Sequence, residues 1–223
     1  MADAAVGPVA SSDFEVLVSS CLEMLAKHES LARRRSESAK QVERVSAALA
    51  TTTLASSMPI SIFCAGSLAR QEAGEHSDLD IFVVSEEARS HTSRLREYTL
   101  FAELIQLNSS LGFPEFSNDG QFLKICPIKD LIEATGSARD DSDNLFTTRL
   151  LMVLESAPLL NPERFAVQLR LVADNYYRDN RSKKSFRPLF LLNDLLRYWR
   201  TLCLNYEERR HDRTNTTLSV SSA

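Results

Sequence analysis

The chain is poor in the patterns that mark secreted, membrane-spanning and zinc-binding proteins. Its four cysteines are far apart and form no C-x-x-C pair, and its four histidines lie on separate polar segments. Neither a disulfide scaffold nor a zinc site is therefore expected. No apolar run approaches the roughly 18 residues of a membrane-spanning helix, and the N-terminus lacks the basic start and apolar run of a signal peptide. We expect a soluble, cytoplasmic protein with reduced, buried thiols at Cys21, Cys64, Cys126 and Cys203.

An excess of positive charge is also missing. The 26 Lys and Arg residues are outnumbered by 30 Asp and Glu residues, which gives a formal net charge of −4 at pH 7. A surface that binds nucleic acid without sequence preference needs many cations to neutralise the phosphates. A polynucleotide is therefore not the first partner expected, although a local basic cleft stays open. The 223 residues suffice for one large domain, or for a catalytic domain with a helical appendage.

What the chain does contain is a compact polar motif between two apolar segments. Residues 63–84, FCAGSLARQEAGEHSDLDIFVV, predict a strand, a tight turn, a short polar helix and a second strand. Gly66 allows the backbone to approach a ligand closely, and Ser67 offers a hydroxyl and a backbone N–H to phosphate oxygens. Asp78 and Asp80 are predicted to open the second strand, where residues two apart share one face. Two adjacent carboxylates suit Mg²⁺, which takes further ligands from substrate phosphates.

These residues resemble the nucleotidyltransferase superfamily with the DNA polymerase beta-like fold, whose signature is Gly-Ser, a short spacer and Asp-x-Asp on the next strand. The longer motif resembles the branch of bacterial PII-uridylyltransferase-like nucleotidyltransferases. That closer resemblance adds four positions, Ala69, Arg70, Glu72 and Ser77. It implies Mg²⁺-dependent (or Mn²⁺-dependent) transfer of a nucleoside monophosphate from a nucleoside triphosphate to an acceptor hydroxyl. Asp78 and Asp80 would be catalytic metal ligands, with Gly66 and Ser67 binding the nucleotide. Because of the negative net charge, a protein or small-molecule acceptor is favoured.

A third carboxylate is the part of the family pattern that is hard to place. Polymerase-type members carry one on the third strand, but the strand predicted at 121–126 contains no acid. Glu115 or Asp119 in the preceding loop could complete the site, or two carboxylates could suffice. Alternatively, the protein is a nucleotide-sensing or regulatory domain with little turnover, or an antitoxin-like interaction protein that works through its helices.

The order of the predicted elements, together with the resemblance, indicates an α/β fold. We expect a small mixed sheet that forms the nucleotidyltransferase core, flanked by one N-terminal helix and followed by a C-terminal helical lobe. Only helices are predicted after Ile128. The expected organisation is a flexible N-terminus over 1–12, the α/β domain with its N-terminal helix over 13–135, the helical lobe over 136–209 and a disordered tail over 210–223.

The last predicted helix carries a polar stripe at i, i+4 and i+7, formed by Asn193, Arg197 and Arg200. Guanidinium groups match phosphates in a two-pronged geometry, and an amide suits a base or ribose edge. We name these three residues as candidate nucleotide contacts. The alternative is that Asp194 and Glu207 neutralise the arginines in an ion-pair network.

Three further groups of cations have an ordinary and a functional interpretation. Arg149 lies among apolar residues and is expected to pair with an acid such as Glu155, or to contact a phosphate. The triplet 33–35 is most simply a solvated helix face, with polyphosphate binding as the alternative. Lys183 and Lys184 fit a solvated loop. The remaining apolar positions of the last helix are predicted to be core, namely Leu189, Leu192, Leu195, Leu196, Tyr198, Trp199, Leu202 and Cys203.

Overall fold

A four-stranded mixed sheet forms the centre of the computed structural model, which describes residues 11–88, 93–116, 120, 123–180 and 186–220. Its order is β3-β2-β1-β4; β1 runs antiparallel to both β2 and β4, and β2 runs parallel to β3. This arrangement confirms the predicted α/β class with flanking helices. The strands are β1 (Ile60–Cys64), β2 (Ile81–Ser85), β3 (Ile125–Pro127) and β4 (Ala157–Leu160).

The helices pack around this sheet; some precede β1, some connect the strands and some follow β4. In chain order they are α1 (Ser11–Ala26), α2 (Glu29–Ala50), α3 (Thr53–Ser57), α4 (Gly66–Ala69), α5 (Arg94–Ser110), α6 (Ile128–Glu133), α7 (Ala138–Ser142), α8 (Leu145–Leu154), α9 (Pro162–Tyr176) and α10 (Leu189–Val220). The single N-terminal helix expected from the sequence is two helices, because the chain turns at Lys27 and His28.

The two central strands, β1 and β2, are buried along their whole length, which explains why their sequences are nearly continuous apolar runs. Successive side chains of β1 point to opposite faces. Ile62 packs with Leu49 of α2 and Leu104 of α5 in one cluster. Phe63 lies on the other face and stacks on Phe82 of β2, with 5.2 Å between ring centroids, in a cluster with residues of α6, α8 and α9. The sheet is thus covered on both sides, and its strand ends are where polar side chains can gather.

Three further expectations about secondary structure are wrong. The segment Ala157–Leu160 is a strand, not part of a purely helical region, and it pairs with β1. The third strand is only Ile125–Pro127, shorter and later than expected, while residues 121 and 122 lie outside the described part of the chain. The last helix reaches Val220 and so runs through most of residues 210–223, for which the sequence predicts disorder. An ion pair between Glu207 and Arg210 lies where the helix was predicted to end.

The apolar face of α10 is only partly core. Leu195 and Tyr198 pack against the α8–α9 cluster, whereas Trp199 is 67% exposed. The other exposed apolar residues of this helix are Leu189, Leu192, Leu196, Leu202, Leu204 and Tyr206. Helical spacing predicts the stripe but not which neighbours are available to cover it, and α10 extends beyond the helices on which it packs.

The cysteines divide into two classes. Cys64 and Cys126 are buried free thiols in the sheet, as expected. Burial raises the pKa of Cys64 to about 12, so it is an inert thiol. Cys21 and Cys203 are exposed, which corrects the prediction that all four are buried. Among the described helices, none is long and apolar enough to cross a membrane.

Candidate functional site

The turn after β1 and the segment before β2 meet at Gly66. The backbone of Gly66 has φ +69°, and a Cβ at this position would lie 2.8 Å from Oδ2 of Asp80. The backbone N–H of Ala65 donates to the carbonyl oxygen of Asp80 at 3.0 Å. This bond continues the β1–β2 pairing by one residue and fixes the two segments against each other. Glycine is required here for its backbone angle and for the close approach of the carboxylate.

Asp78 and Asp80 come directly before β2 and do not lie in the strand, which begins at Ile81. This corrects the expectation that they open it. Leu79 between them is 1% exposed, whereas both aspartates are half-buried. The alternation of an extended chain is therefore kept, and the two carboxylates lie on the side away from the core.

The pKa of Asp80 is raised from 3.8 to about 6. Burial is the main cause, and the negative charges of Asp78 and Glu155 add to it. The positive charge of Arg70 opposes the shift without cancelling it. Two neighbouring carboxylates and one arginine therefore act on the Asp80 carboxylate, in addition to its burial.

Glu155 is a third carboxylate near this pair, and sequence reasoning missed its role. Glu155 directly follows α8, and two residues later Ala157 pairs with Cys64 in the antiparallel β1–β4 register. Continuing that register places Glu155 opposite Gly66. No local signal marks Glu155 in the sequence, because its position depends on β4, a segment that the sequence predicts as a connection between two helices.

The Glu155 carboxylate is held by two side chains from different parts of the chain. The hydroxyl of Tyr198, on α10, donates to Glu155 Oε1 at 2.7 Å. Arg70 forms an ion pair with Glu155 and a second one with Glu72, with 3.0 Å from its Nε to Glu72 Oε2. Burial and the neighbouring Glu155 raise the pKa of Tyr198, so it stays a neutral donor. Arg70 and Glu72 thus form a pair that braces the turn.

Arg149 and Arg197 lie in a buried ion-pair network, which we define as Arg149, Asp140, Asp194, Arg197 and Tyr176. Arg149 is 0% exposed and contacts Asp140 at 2.8 Å and Asp194 at 2.6 Å. Arg197 contacts the same two acids at 3.1 and 3.0 Å. Tyr176 donates its hydroxyl to Asp194 at 2.8 Å. Every charge in the network faces at least one opposite charge.

The expectation that Arg149 pairs with an acid is confirmed, but two of the partners named from the sequence are different. The partner of Arg149 is not Glu155, which binds Arg70 and Tyr198. Glu207 pairs with Arg210 and not with Arg197. The alternative left open for Arg197, neutralisation by Asp194, agrees with its contacts, and its guanidinium also lies over the ring of Phe146, 4.1 Å from the centroid.

The remaining candidate residues lie elsewhere or outside the described chain. Asn193 lines a separate cavity with Phe186 and Phe190, and Arg200 is exposed. A nucleotide contact by Asn193, Arg197 or Arg200 stays a prediction. Glu115 lines an apolar cavity beside α5. The other candidates named above, Asp119, Lys183 and Lys184, fall outside the described residues.

The chemistry of the acidic pair fits a divalent cation. Within the residues that the structure describes, no group of three or more His, Cys, Asp or Glu side chains is arranged to hold a metal ion. Mg²⁺ does not need such a cage, since it commonly binds one or two carboxylates and takes its other ligands from water and substrate phosphates. Asp78 and Asp80 supply two neighbouring carboxylates, and the pKa of Asp80 is raised by burial and by the charges of Asp78 and Glu155, so the pair meets that requirement.

Comparison with known proteins agrees with this geometry. Residues 49–119 match the family model of the nucleotidyltransferase domain. The matched segment contains β1, the Gly66 turn, both aspartates, β2 and α5, and it supports transfer of a nucleoside monophosphate as the general activity. It covers less than half of the chain and does not distinguish a uridylyltransferase-like branch. A search of curated proteins gives no match.

Proposed function

We propose that the protein transfers a nucleoside monophosphate from a nucleoside triphosphate to an acceptor hydroxyl, with Mg²⁺ or Mn²⁺ as cofactor. The observation that carries this proposal is the Asp80 carboxylate, which packs against Gly66 and has its pKa raised to about 6 beside Asp78. Unbalanced negative charge at such a place favours a bound cation. The match of residues 49–119 to the nucleotidyltransferase domain supports the same reaction.

The residues of the turn have separate roles in binding the nucleotide and orienting its phosphates. Asp78 and Asp80 would hold the metal, which when bound supplies charge neutralisation on the phosphates and orients the reacting oxygens. Gly66 lets the backbone approach the triphosphate, and the Ser67 hydroxyl and N–H donate to its phosphate oxygens. The acceptor hydroxyl attacks the α-phosphorus in line, and pyrophosphate leaves. Glu155 adds negative charge beside Asp80 and is itself held by Arg70 and Tyr198.

For the acceptor we favour a protein side chain or a small molecule over nucleic acid, because the net charge is −4. The reduced thiols Cys64 and Cys126 agree with a cytoplasmic location. A nucleotide-sensing domain is the second candidate. It is favoured by one observation: the Glu155 carboxylate that lies near the aspartates is already occupied by an arginine and a tyrosine.

The test is pyrophosphate release and label transfer from each α-labelled ribonucleoside triphosphate, with Mg²⁺ or Mn²⁺, first alone and then with lysate as a source of acceptors. The variant Asp78→Asn/Asp80→Asn should lose at least about 10³-fold in turnover, because the charge that positions the cofactor is removed. The matched control is Glu163→Gln/Asp174→Asn, which removes two exposed acids of α9 outside the site and should keep turnover.

Turnover that survives in Asp78→Asn/Asp80→Asn would contradict the proposal. If the wild-type protein binds triphosphates in a metal-dependent way but releases no pyrophosphate with any of the four, the sensing domain replaces the transferase. If neither binding nor turnover is observed, both nucleotide functions are wrong and an interaction role through the helices remains.

A further inference from the structure

A cavity of about 550 Å³ lies beside the Gly-Ser turn, between α2 and the segment that follows α4. From the turn and the residues after it, the lining is Ser67, Arg70, Gln71 and Glu72, and from α2 it is Leu31, Arg34 and Arg35. The family match begins at residue 49, so the α2 wall of this cavity lies outside the matched segment. Neither the metal-binding pair nor the turn accounts for the two arginines.

The α2 wall is fixed against the turn by a buried contact. Ser38 is 0% exposed, and its Oγ accepts a hydrogen bond from the backbone N–H of Ala73 at 3.0 Å. Ser38 lies one helical turn after Arg34. The arginines therefore project from a helix whose position relative to the Arg70–Ala73 backbone is defined, although their own side chains are exposed.

The charges around the cavity are unequal. Arg70 is paired with Glu72 and Glu155, so its charge is shared by two acids. Arg34 and Arg35 take part in no ion pair within the described part of the chain, in contrast to Arg33, whose Nε lies 3.8 Å from Glu37. Glu72 is the acid of the lining, and it is paired with Arg70. In a chain of net charge −4, two adjacent arginines with no ion pair among the described residues, beside a serine hydroxyl, form a local site for an anion.

We propose that Arg34 and Arg35 bind the polyphosphate tail of the nucleotide, and the pyrophosphate formed from it. This inference rests on the proposed function and extends it to a part of the chain outside the nucleotidyltransferase match. Arginine presents a planar fork of donors that pairs with phosphate oxygens in two-pronged fashion. A 550 Å³ cavity falls within the range of small-molecule sites.

The position of the cavity favours a nucleotide over an unrelated anion. The Asp80 carboxylate occupies the space that a Cβ on Gly66 would need, and the next residue, Ser67, lines the cavity with the arginines. A carboxylate is therefore next to Gly66 and two arginines line the cavity with Ser67, and Gly66 and Ser67 are successive residues of one turn. A metal–triphosphate complex needs both, since its cation end is attracted to carboxylates and its terminal phosphates to arginine.

The test uses inorganic tripolyphosphate as a probe that does not depend on turnover. Its dissociation constant is measured by titration calorimetry without metal for the full chain, for Arg34→Gln/Arg35→Gln and for a control. Wild type should bind, and the double variant should bind at least about 10-fold more weakly, since it loses two charge-assisted contacts. The matched control is Arg33→Gln/Lys40→Gln, which removes two exposed cations of α2 that do not line the cavity, and it should stay within about 2-fold of wild type.

A second measurement identifies the source of the anion. If the cavity holds the nucleotide tail, a nucleoside triphosphate should compete with tripolyphosphate. The variant Arg34→Gln/Arg35→Gln should then raise KM for the triphosphate more than it lowers kcat. The variant Asp78→Asn/Asp80→Asn should keep metal-free tripolyphosphate binding, because the arginines are intact.

These outcomes separate this inference from the proposed function. Normal tripolyphosphate binding by Arg34→Gln/Arg35→Gln would overturn the arginine site while leaving transfer unaffected. If the wild-type protein binds tripolyphosphate but shows no transfer, and Arg34→Gln/Arg35→Gln loses that binding, the arginine site is supported and the transfer reaction is rejected. Simultaneous binding of tripolyphosphate and triphosphate without competition would overturn the assignment to the nucleotide, since the cavity would then hold a separate anionic ligand.

Discussion

Two clusters of carboxylates in this molecule differ in how their charge is balanced. In the buried ion-pair network, Asp140 and Asp194 each contact both Arg149 and Arg197. In the site at the Gly66 turn, Asp78 and Asp80 lie on one side of an extended segment, and Arg70, the cation that lowers the pKa of Asp80, is paired with Glu72 and Glu155. The first cluster is complete, whereas the second carries an excess of negative charge.

The pKa values of one member of each cluster express this difference. Burial acts to raise the pKa of Asp140, but the hydrogen bonds and charge of Arg149, followed by those of Arg197, hold it below its usual value. Burial also acts on Asp80, and there the neighbouring acids add to the rise, to about 6. Burial is common to both, so the partners decide the sign. A complete cluster stabilises the fold, and an incomplete one is suited to receive a ligand.

The largest effect is expected from breaking the complete cluster. Arg149→Met should destabilise the protein by about 3–5 kcal/mol, because it leaves Asp140 and Asp194 buried without their main cation. The free energy of unfolding is measured by urea titration at pH 7, followed by circular dichroism.

Arg139→Gln is the matched control for this change. Arg139 also pairs with two aspartates, Asp130 and Asp143, but its side chain is 48% exposed. Water can replace its contacts, so no measurable change is expected. If Arg149→Met were no more destabilising than Arg139→Gln, the buried network would not contribute to stability as its geometry indicates.

The motif between residues 63 and 84 could be predicted from the sequence because its parts are local. The turn requires glycine, a hydroxyl follows it, and the aspartates stand two apart before an apolar run. The central strands and the covering helix α5 were found for the same reason. The family match falls on this segment.

The parts that sequence reasoning missed depend on contacts between distant segments. Glu155 comes to the site because β4 pairs with β1 across about ninety residues of chain, and Tyr198 reaches it from α10. A four-residue strand containing Pro158 gives almost no periodic signal. The exposed side of α10 was predicted as core because periodicity identifies an apolar stripe without identifying what covers it.

The same Asp→Asn substitution, made once in each cluster, tests whether the two clusters differ in charge balance. Asp80→Asn should stabilise the protein at pH 7 by on the order of 1–3 kcal/mol, given a pKa raised from 3.8 to about 6. Asp140→Asn should destabilise it, because the pKa of Asp140 is lowered. Opposite signs for two Asp→Asn changes, measured by urea unfolding at pH 4, 5.5 and 7, are the expected result.

The pH dependence of the two variants follows from the direction of each shift. Asp80 favours the folded state when protonated, so its contribution is fully present below 3.8 and is lost as the pH rises through about 6. The gain from Asp80→Asn should therefore disappear near pH 4. Asp140 favours the folded state when ionised, and its contribution is lost only as the pH falls through its lowered pKa. Destabilisation by Asp80→Asn at pH 7 would show that its charge is already balanced within the chain.

The smallest effect concerns Glu155, whose charge balance is intermediate between those of the two clusters. It is paired with Arg70, yet its negative charge adds to the raised pKa of Asp80. Tyr198→Phe removes the 2.7 Å hydrogen bond to Glu155 and should lower the free energy of unfolding by about 1 kcal/mol. Tyr206→Phe on the same helix, 69% exposed, should change nothing and serves as the control. If both variants unfolded alike, the Tyr198 contact would not hold Glu155 in solution, and its carboxylate would be available to the aspartates as a third acid of the site.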